Sequence, residues 1–160
     1  MPSDHLEPIE PSQRFGAEVS AARRRGSPDE LRQWLELAQR MADETDTMAM
    51  AAFRRDLQIS TKPDRTLVTQ ADRAIEERLR ARLADAVPSH GVVGEEFGTS
   101  DLEAPVRWYL DPIDATNNFV RGIPIWGTLI ALERDGELQL GVMSAPAIGS
   151  RWWATRGAGA

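Results

Sequence analysis

Apolar residues recur at helical spacing in two long stretches of the chain. The first stretch follows Ser27-Pro28-Asp29-Glu30, which is a capping box with proline at the first helical position. Its apolar face is formed by Leu31, Trp34, Leu35, Ala38, Ala42, Ala49 and Phe53. The second stretch runs from Gln70 to about Ala86, and its stripe consists of Ala71, Ile75, Leu79 and Leu83. This spacing predicts two amphipathic helices.

After the second helix the pattern changes to the two-residue alternation of strands. Val106, Trp108 and Leu110 alternate with polar positions, and β-rich runs follow over 125–133, 137–145 and 151–155. Asp135-Gly136 between two of these runs is a strong hairpin signal. We therefore predict an α+β fold with two helices packed on one face of an antiparallel sheet.

The opposite face of that sheet has no predicted cover. We expect apolar residues there, including one of Trp152 and Trp153, to be exposed and to favour a homodimer or other self-association.

Composition narrows the class of protein. The chain has 160 residues, 41% of them hydrophobic, which suits one core, and a net charge of −6 that argues against a nucleic-acid partner. No apolar run is long enough for a bilayer, so we expect no membrane partner. The absence of cysteine fits a cytoplasmic location, and the two histidines, His5 and His90, are too far apart to suggest zinc. Residues 1–27 lack apolar periodicity and are predicted to be a mobile N-terminal extension.

The most informative motif follows Val106, Trp108 and Leu110. Asp111 is expected where this strand ends, and Pro112, which lacks an N–H, is expected to stop the sheet ladder. Asp111, the Ile113 carbonyl and Asp114 can then converge on one point. Oxygen ligands of this kind suit Mg²⁺. The alternative is that Asp-Pro-x-Asp forms only a capped turn.

Three neighbouring features bear on the same chemistry. Residues 115–119 can open a short helical turn whose free N–H groups would receive phosphate oxygens. The glycine-bracketed loop 94–98 places Glu95 and Glu96 after a short apolar run, although alone it is only an acidic loop. Thr69 can cap the second helix with Asp72 in its first turn, an arrangement that is equally typical of a plain cap.

Together these motifs resemble the inositol monophosphatase superfamily of magnesium-dependent phosphatases. Its pattern of Gly-Glu-Glu followed by Asp-Pro-(Ile/Leu)-Asp-Gly-Thr-x-Asn-Phe is matched by 94–96 and 111–119, with Val-Thr-Gln-Ala-Asp at 68–72 preceding them. Residues 118–132, Ser144-Ala145-Pro146 and 151–154 look most like the actinobacterial histidinol-phosphatase branch. The resemblance covers residues from about 29 to 160.

The resemblance implies a role for each matched residue. Metal ligands would be Glu95, Asp111, the Ile113 carbonyl and Asp114, holding part of a centre of two or three Mg²⁺ ions. Asp72 and Thr116 would orient the attacking water beside Glu95, and the amides of Ala115 and Thr116 would hold phosphate.

The implied substrate is a small phosphomonoester. Histidinol phosphate is the first expectation, with inositol monophosphate or a related sugar phosphate as alternatives. The implied fold is the N-terminal lobe of the αβαβα sugar-phosphatase architecture, over residues 28–160.

Two features depart from the family pattern. Ala115 replaces the usual glycine, which matters if the position needs a positive φ or a close approach by phosphate. Family members are also longer, so we expect the C-terminal lobe, which carries a further metal-binding aspartate, to be absent here. The alternative function is therefore a catalytically silent lobe that binds metal or phosphate or pairs with another chain.

Overall fold

The computed structural model describes residues 26–63 and 66–160. The described chain contains three α-helices, eight strands and one short 3-10 turn. In order they are α1 (Pro28–Ala52), β1 (Ile59–Thr61), β2 (Leu67–Thr69), α2 (Gln70–Ala86), β3 (Gly91–Gly94), β4 (Gly98–Ser100), β5 (Val106–Asp114), α3 (Thr116–Val120), β6 (Gly127–Arg134), β7 (Glu137–Ala145), the 3-10 turn (Pro146–Ile148) and β8 (Ser150–Thr155).

Both predicted long helices are present, and each begins with a capping box. Ser27 caps α1 together with Glu30, and Thr69 caps α2 together with Asp72. The α2 helix has the predicted bounds, because cap and apolar stripe both mark its beginning in the sequence. The predicted hairpin also forms, and Asp135 and Gly136 both have positive φ, as a tight two-residue turn requires.

Six strands form one sheet in the order β4-β3-β5-β6-β7-β8, while β1 and β2 form a separate antiparallel ribbon. The α+β class is confirmed, but the sheet is mixed rather than wholly antiparallel. Strand β3 runs parallel to β5, and all other neighbours in the sheet are antiparallel. The reason is that the chain first reverses into β4 at the edge and reverses again, so β5 regains the direction of β3.

The core lies between this sheet and helices α1 and α2. Trp108 and Leu132 on the sheet are completely buried, as are Met41 on α1 and Ile75 and Leu79 on α2. Side chains that point to the other face of the same strands receive no helical cover. The burial of one face alone explains the alternating burial pattern of β5.

The open face carries a row of side chains across four strands. The register places Asp111 opposite Leu129, Leu129 opposite Met143, and Met143 opposite Trp152. Trp152 is 53% exposed, and Trp153, which was expected to differ from it, is also 47% exposed. Both are exposed because β8 is the edge strand, beyond the reach of the helices.

The end of β5 also differs from the prediction. The strand continues through Asp114 instead of ending at Asp111, and its register with β6 shifts between these two residues. Pro112 therefore interrupts the regular ladder without ending the strand, and its carbonyl accepts a hydrogen bond from the Thr128 hydroxyl at 2.8 Å.

The predicted mobile extension, residues 1–27, lies outside the described residues apart from its last two. Of these, Gly26 is buried and its N–H donates to Gln139, while Ser27 caps α1. Among the helices of the described ranges, none combines the length and apolar character needed to cross a membrane.

Candidate active site

A pocket of about 220 Å³ lies where β5 meets α3. Six of the seven site residues predicted from the sequence line this pocket, together with three neighbouring residues. The lining residues are Thr66, Leu67, Glu95, Asp111, Ile113, Asp114, Ala115, Thr116 and Asn117. The motifs of loop 94–98 and of residues 111–116 therefore meet in space, because β3 and β5 are adjacent parallel strands that end at the same edge.

Asp111 has the most unusual environment in this pocket. Its Oδ1 is buried without a hydrogen-bond partner. Burial, followed by the adjacent Glu95 carboxylate and by Asp114 and Asp72, raises the pKa of Asp111 from 3.8 to about 8. A carboxylate crowded by three others and short of donors is suited to accept a cation.

Glu95 lies within hydrogen-bonding reach of Asp111, and a lysine balances part of its charge. The Lys62 ammonium is 2.8 Å from Glu95 Oε1 and 2.7 Å from Glu96 Oε1. Burial of Lys62 opposes its charge, but these two carboxylates outweigh it and raise the pKa of Lys62 to about 12. Sequence reasoning assigned Lys62 no role, although it is the only lysine in the chain.

The carboxylates line the pocket without closing around a single point. Over residues 26–63 and 66–160, no three histidine, cysteine, aspartate or glutamate side chains are placed so that together they could already hold a metal ion. The Lys62 ammonium instead occupies the side of Glu95. An ion entering here would draw Asp111, Glu95 and Asp114 together.

Asp72, the seventh predicted residue, reaches the pocket through Thr116. Its Oδ2 accepts the Thr69 N–H at 2.8 Å and the Thr69 hydroxyl at 2.6 Å, so the capping interpretation is correct. Its Oδ1 faces the Thr116 hydroxyl at 3.4 Å, while that hydroxyl lies 3.0 Å from the Ile113 carbonyl. The single hydroxyl proton favours the shorter contact, which leaves Asp72 Oδ1 able to accept another hydrogen bond. Burial raises the pKa of Asp72 against the bonds from Thr69.

The predicted helical turn forms as α3, and the backbone conformation at its entry is one that favours glycine. Ala115 has φ 64° and ψ 47°, the left-handed region in which a Cβ is unfavourable. Phe119, completely buried, holds α3 in place by packing against Trp126 and Phe53, with ring centroids 4.8 and 5.5 Å apart. The rigid core therefore fixes α3, and Ala115 must adopt the strained conformation.

The donors in this pocket fit a hard divalent cation. They are carboxylate and carbonyl oxygens, with no sulfur or imidazole among the lining residues, and Asp111 Oδ1 lacks any partner. Magnesium prefers such ligands and keeps several waters, so an incomplete protein cage suits it.

These features define a class: an α+β lobe with an acidic, oxygen-lined pocket at the end of a central strand, beside the first turn of a short helix. Residues 30–160 match the inositol monophosphatase family, and the chain belongs to that family.

Two similar curated proteins are actinobacterial. The histidinol-phosphatase of Mycobacterium tuberculosis is 52% identical over 127 residues, covering 79% of this chain and 49% of that protein. The histidinol-phosphatase of Streptomyces coelicolor is 49% identical over 131 residues, with the same coverage of 79% and 49%. The chain thus spans about half the length of the curated relatives it matches.

Solved structures of similar proteins show the same fold, and this chain again matches about half of their length. An IMPase/NADP phosphatase complexed with Mg²⁺ and phosphate superposes with a TM-score of 0.73 at 26% identity, covering 81% of this chain and 50% of that one. The predicted lobe architecture is therefore confirmed as the inositol monophosphatase fold over about half of its extent.

Proposed function

We propose that this chain carries the metal- and phosphate-binding half of a Mg²⁺-dependent phosphomonoesterase. The observation that carries the proposal is the buried, unpartnered Asp111 oxygen in a pocket shared with Glu95 and Asp114. Support comes from the family and from a related structure described as complexed with Mg²⁺ and phosphate. Histidinol phosphate is the proposed substrate because the two relatives described above are histidinol-phosphatases. Inositol monophosphate and other sugar phosphates are the alternatives.

The proposed ligands of Mg²⁺ are Glu95, Asp111, Asp114 and the Ile113 carbonyl. When bound, Mg²⁺ supplies positive charge that neutralises phosphoryl oxygens and acidifies a water molecule, and the family centre is expected to use two or three ions. The Lys62 ammonium lies 2.8 Å from Glu95 Oε1, so it would have to leave that oxygen if Oε1 became the ligand. The proposed site therefore contains its own exchangeable counter-cation.

Two side chains of this lobe are placed to orient an attacking water. Asp72 Oδ1 has spare acceptor capacity, and the Thr116 hydroxyl lies 3.4 Å from it. A water donating to both oxygens would have its lone pair fixed in direction, and such positioning lowers the barrier to attack. Glu95 would affect this water as a proposed ligand of the Mg²⁺ ion that acidifies it, because both protons of the water are already donated.

The phosphate would be held at the entry to α3. The first N–H groups of a helix have no partner within the helix, and Ala115 offers no side-chain cap. The amides of Ala115 and Thr116 would therefore donate to phosphate oxygens. The left-handed conformation of Ala115 is what turns the chain from Asp114 into this helix.

The test is phosphate release from histidinol phosphate and from inositol 1-phosphate, with and without Mg²⁺. We expect magnesium-dependent release, greater with histidinol phosphate, and its loss in Asp111→Asn. Mg²⁺ binding without turnover would support the alternative of a silent lobe that pairs with another chain. Absence of both binding and turnover would contradict the proposal.

Self-association is a further part of the proposal. Met143 and Trp152 are exposed side by side on the open sheet face, next to the half-buried Leu129. We propose that a second copy of the chain covers this face. Light scattering should give a dimer for the native chain and a monomer for Trp152→Gln; a monomeric native chain would contradict this. The cytoplasmic location and the absence of a nucleic-acid partner stay predictions.

A further inference from the structure

Glu76 is a completely buried carboxylate that the proposed chemistry does not use. It lies on α2, four residues after Asp72, and its side chain is inaccessible to solvent. A buried charge of this kind is unfavourable unless several donors compensate it. The identity of those donors therefore indicates what Glu76 does.

Three donors converge on Glu76, and two of them belong to the loop that carries Glu95. Its Oε2 accepts the Glu96 N–H at 2.6 Å, and its Oε1 accepts the Phe97 N–H at 3.2 Å. The third donor is Arg80, whose Nε lies 2.8 Å from Oε1 and whose Nη2 donates to the Gly98 carbonyl. Glu76 and Arg80 thus hold three consecutive residues of the loop from one side.

The other side of the loop is held by the sheet. The Glu95 N–H donates to the Leu110 carbonyl on β5 at 3.2 Å. The amide before the Glu95 side chain is therefore fixed to β5, and the amide after it is fixed to α2. The direction in which Glu95 leaves the backbone is set by these two attachments.

Gly94 makes the close approach of Glu76 feasible. A Cβ at position 94 would overlap the Glu76 carboxylate and lie 2.7 Å from Arg80 Nη2. The glycine is needed here for space rather than for backbone conformation, because its φ is not positive.

We propose that Glu76 is a positioning residue: through the amides of Glu96 and Phe97 it holds Glu95 in the orientation required for divalent-cation binding. This inference rests on the proposed function, in which Glu95 is a metal ligand. Glu76 itself contacts no ion. Partners that orient metal ligands from outside typically contribute a factor of about 10 to 100 in metal affinity.

The informative variant is Glu76→Gln. The amide keeps the size of the side chain but replaces one acceptor oxygen by an NH₂ group, which would face a backbone or arginine donor. The matched control is Glu44→Gln, since Glu44 also pairs with arginines of α2, Arg78 at 2.7 Å and Arg82, but does not touch the loop. Both variants lose a charge-assisted contact to the same helix.

Two measurements separate positioning from general stability. Isothermal titration of Mg²⁺ should show affinity about 10- to 100-fold weaker in Glu76→Gln and within twofold of native in Glu44→Gln. Hydrogen exchange of the metal-free chain should show faster exchange at the Glu96 and Phe97 amides in Glu76→Gln alone. If Glu76→Gln does not fold, Glu76→Asp keeps the charge, shortens the reach and should show the same changes.

Equal Mg²⁺ affinity of native and Glu76→Gln chains would overturn the positioning role while leaving the metal site intact. An equal loss in Glu44→Gln would also overturn it, because the effect would then follow stability. Failure of the native chain to bind Mg²⁺ would overturn the proposed function and this inference with it.

Discussion

Glu44 and Asp111 are both partly buried carboxylates, but their surroundings have opposite electrostatic character. Glu44 on α1 pairs with Arg78 and Arg82, which outweigh its burial and hold its pKa below 4.5. Asp111 has carboxylates beside it instead, and its pKa rises to about 8. The first arrangement joins two helices, whereas the second leaves unbalanced negative charge in an open pocket. Such imbalance is typical of functional sites.

Replacing the Asp111 carboxyl group by an amide should change the chain most. Asp111→Asn should weaken Mg²⁺ binding by more than about 100-fold. Loss of a residue that only orients a metal ligand typically weakens binding by about 10- to 100-fold, and Asp111 is a proposed ligand itself. The variant should also raise the free energy of unfolding of the metal-free chain by about 1 kcal/mol or more, because folding raises the pKa of Asp111 and asparagine avoids that cost. Calorimetric titration and chemical denaturation measure the two effects, and a destabilised metal-free variant would contradict the expected difference between Asp111 and Glu44.

Loss of the Glu44 carboxylate, which two arginines balance, should lower the free energy of unfolding instead of raising it. Glu44→Gln leaves Arg78 and Arg82 with a weaker acceptor; because both arginines are largely exposed, the free energy of unfolding should fall by about 1 kcal/mol. Urea denaturation checks this value. Unchanged stability would show that the pair contributes nothing, as many exposed ion pairs do.

Replacing Ala115 tests whether its left-handed backbone conformation destabilises the chain at the pocket. Ala115→Gly removes a Cβ from a residue at φ 64°, and should stabilise the chain by about 1 kcal/mol. Thermal denaturation of the two chains makes the comparison. A matched control is Ala74→Gly on the exposed side of α2, in its second turn, which should instead destabilise the chain by a similar amount.

The smallest expected effect is on the pH dependence of stability. The folded-state pKa of Glu44 is below its unfolded value of 4.5, so its contribution is present above pH 4.5 and is lost as the pH falls through the folded value. Denaturation at pH 7 and pH 4 should therefore show a smaller loss for Glu44→Gln than for the native chain. Equal losses of unfolding free energy in the two chains would argue against a lowered pKa at Glu44.

Local signals predicted much of this fold. The capping boxes at Ser27 and Thr69 and the turn at Asp135-Gly136 are encoded within a few residues, and all three occur. The parallel pairing of β3 with β5 was not predicted, because strand direction depends on how the chain returns from β4 and not on the alternation within either strand.

In the candidate site, too, local motifs were predictable from the sequence and long-range contacts were not. Residues within the acidic motifs were identified from the sequence, and the structure brings Glu95 and Asp111 to one pocket. Lys62 and Glu76 were missed as participants, since their partners lie 20 or more positions away in the chain. Ala115 was recognised as a departure, but only its backbone angles showed that the departure is costly.

The proposed function requires the pocket at the end of β5 to hold a divalent cation. Its most direct test is anomalous diffraction from crystals of the chain grown with Mn²⁺, which accepts the same oxygen ligands as Mg²⁺. We expect an anomalous peak in contact with Glu95, Asp111 and Asp114. Crystals grown with Mn²⁺ that show no peak in this pocket, or manganese only elsewhere, would contradict this expectation.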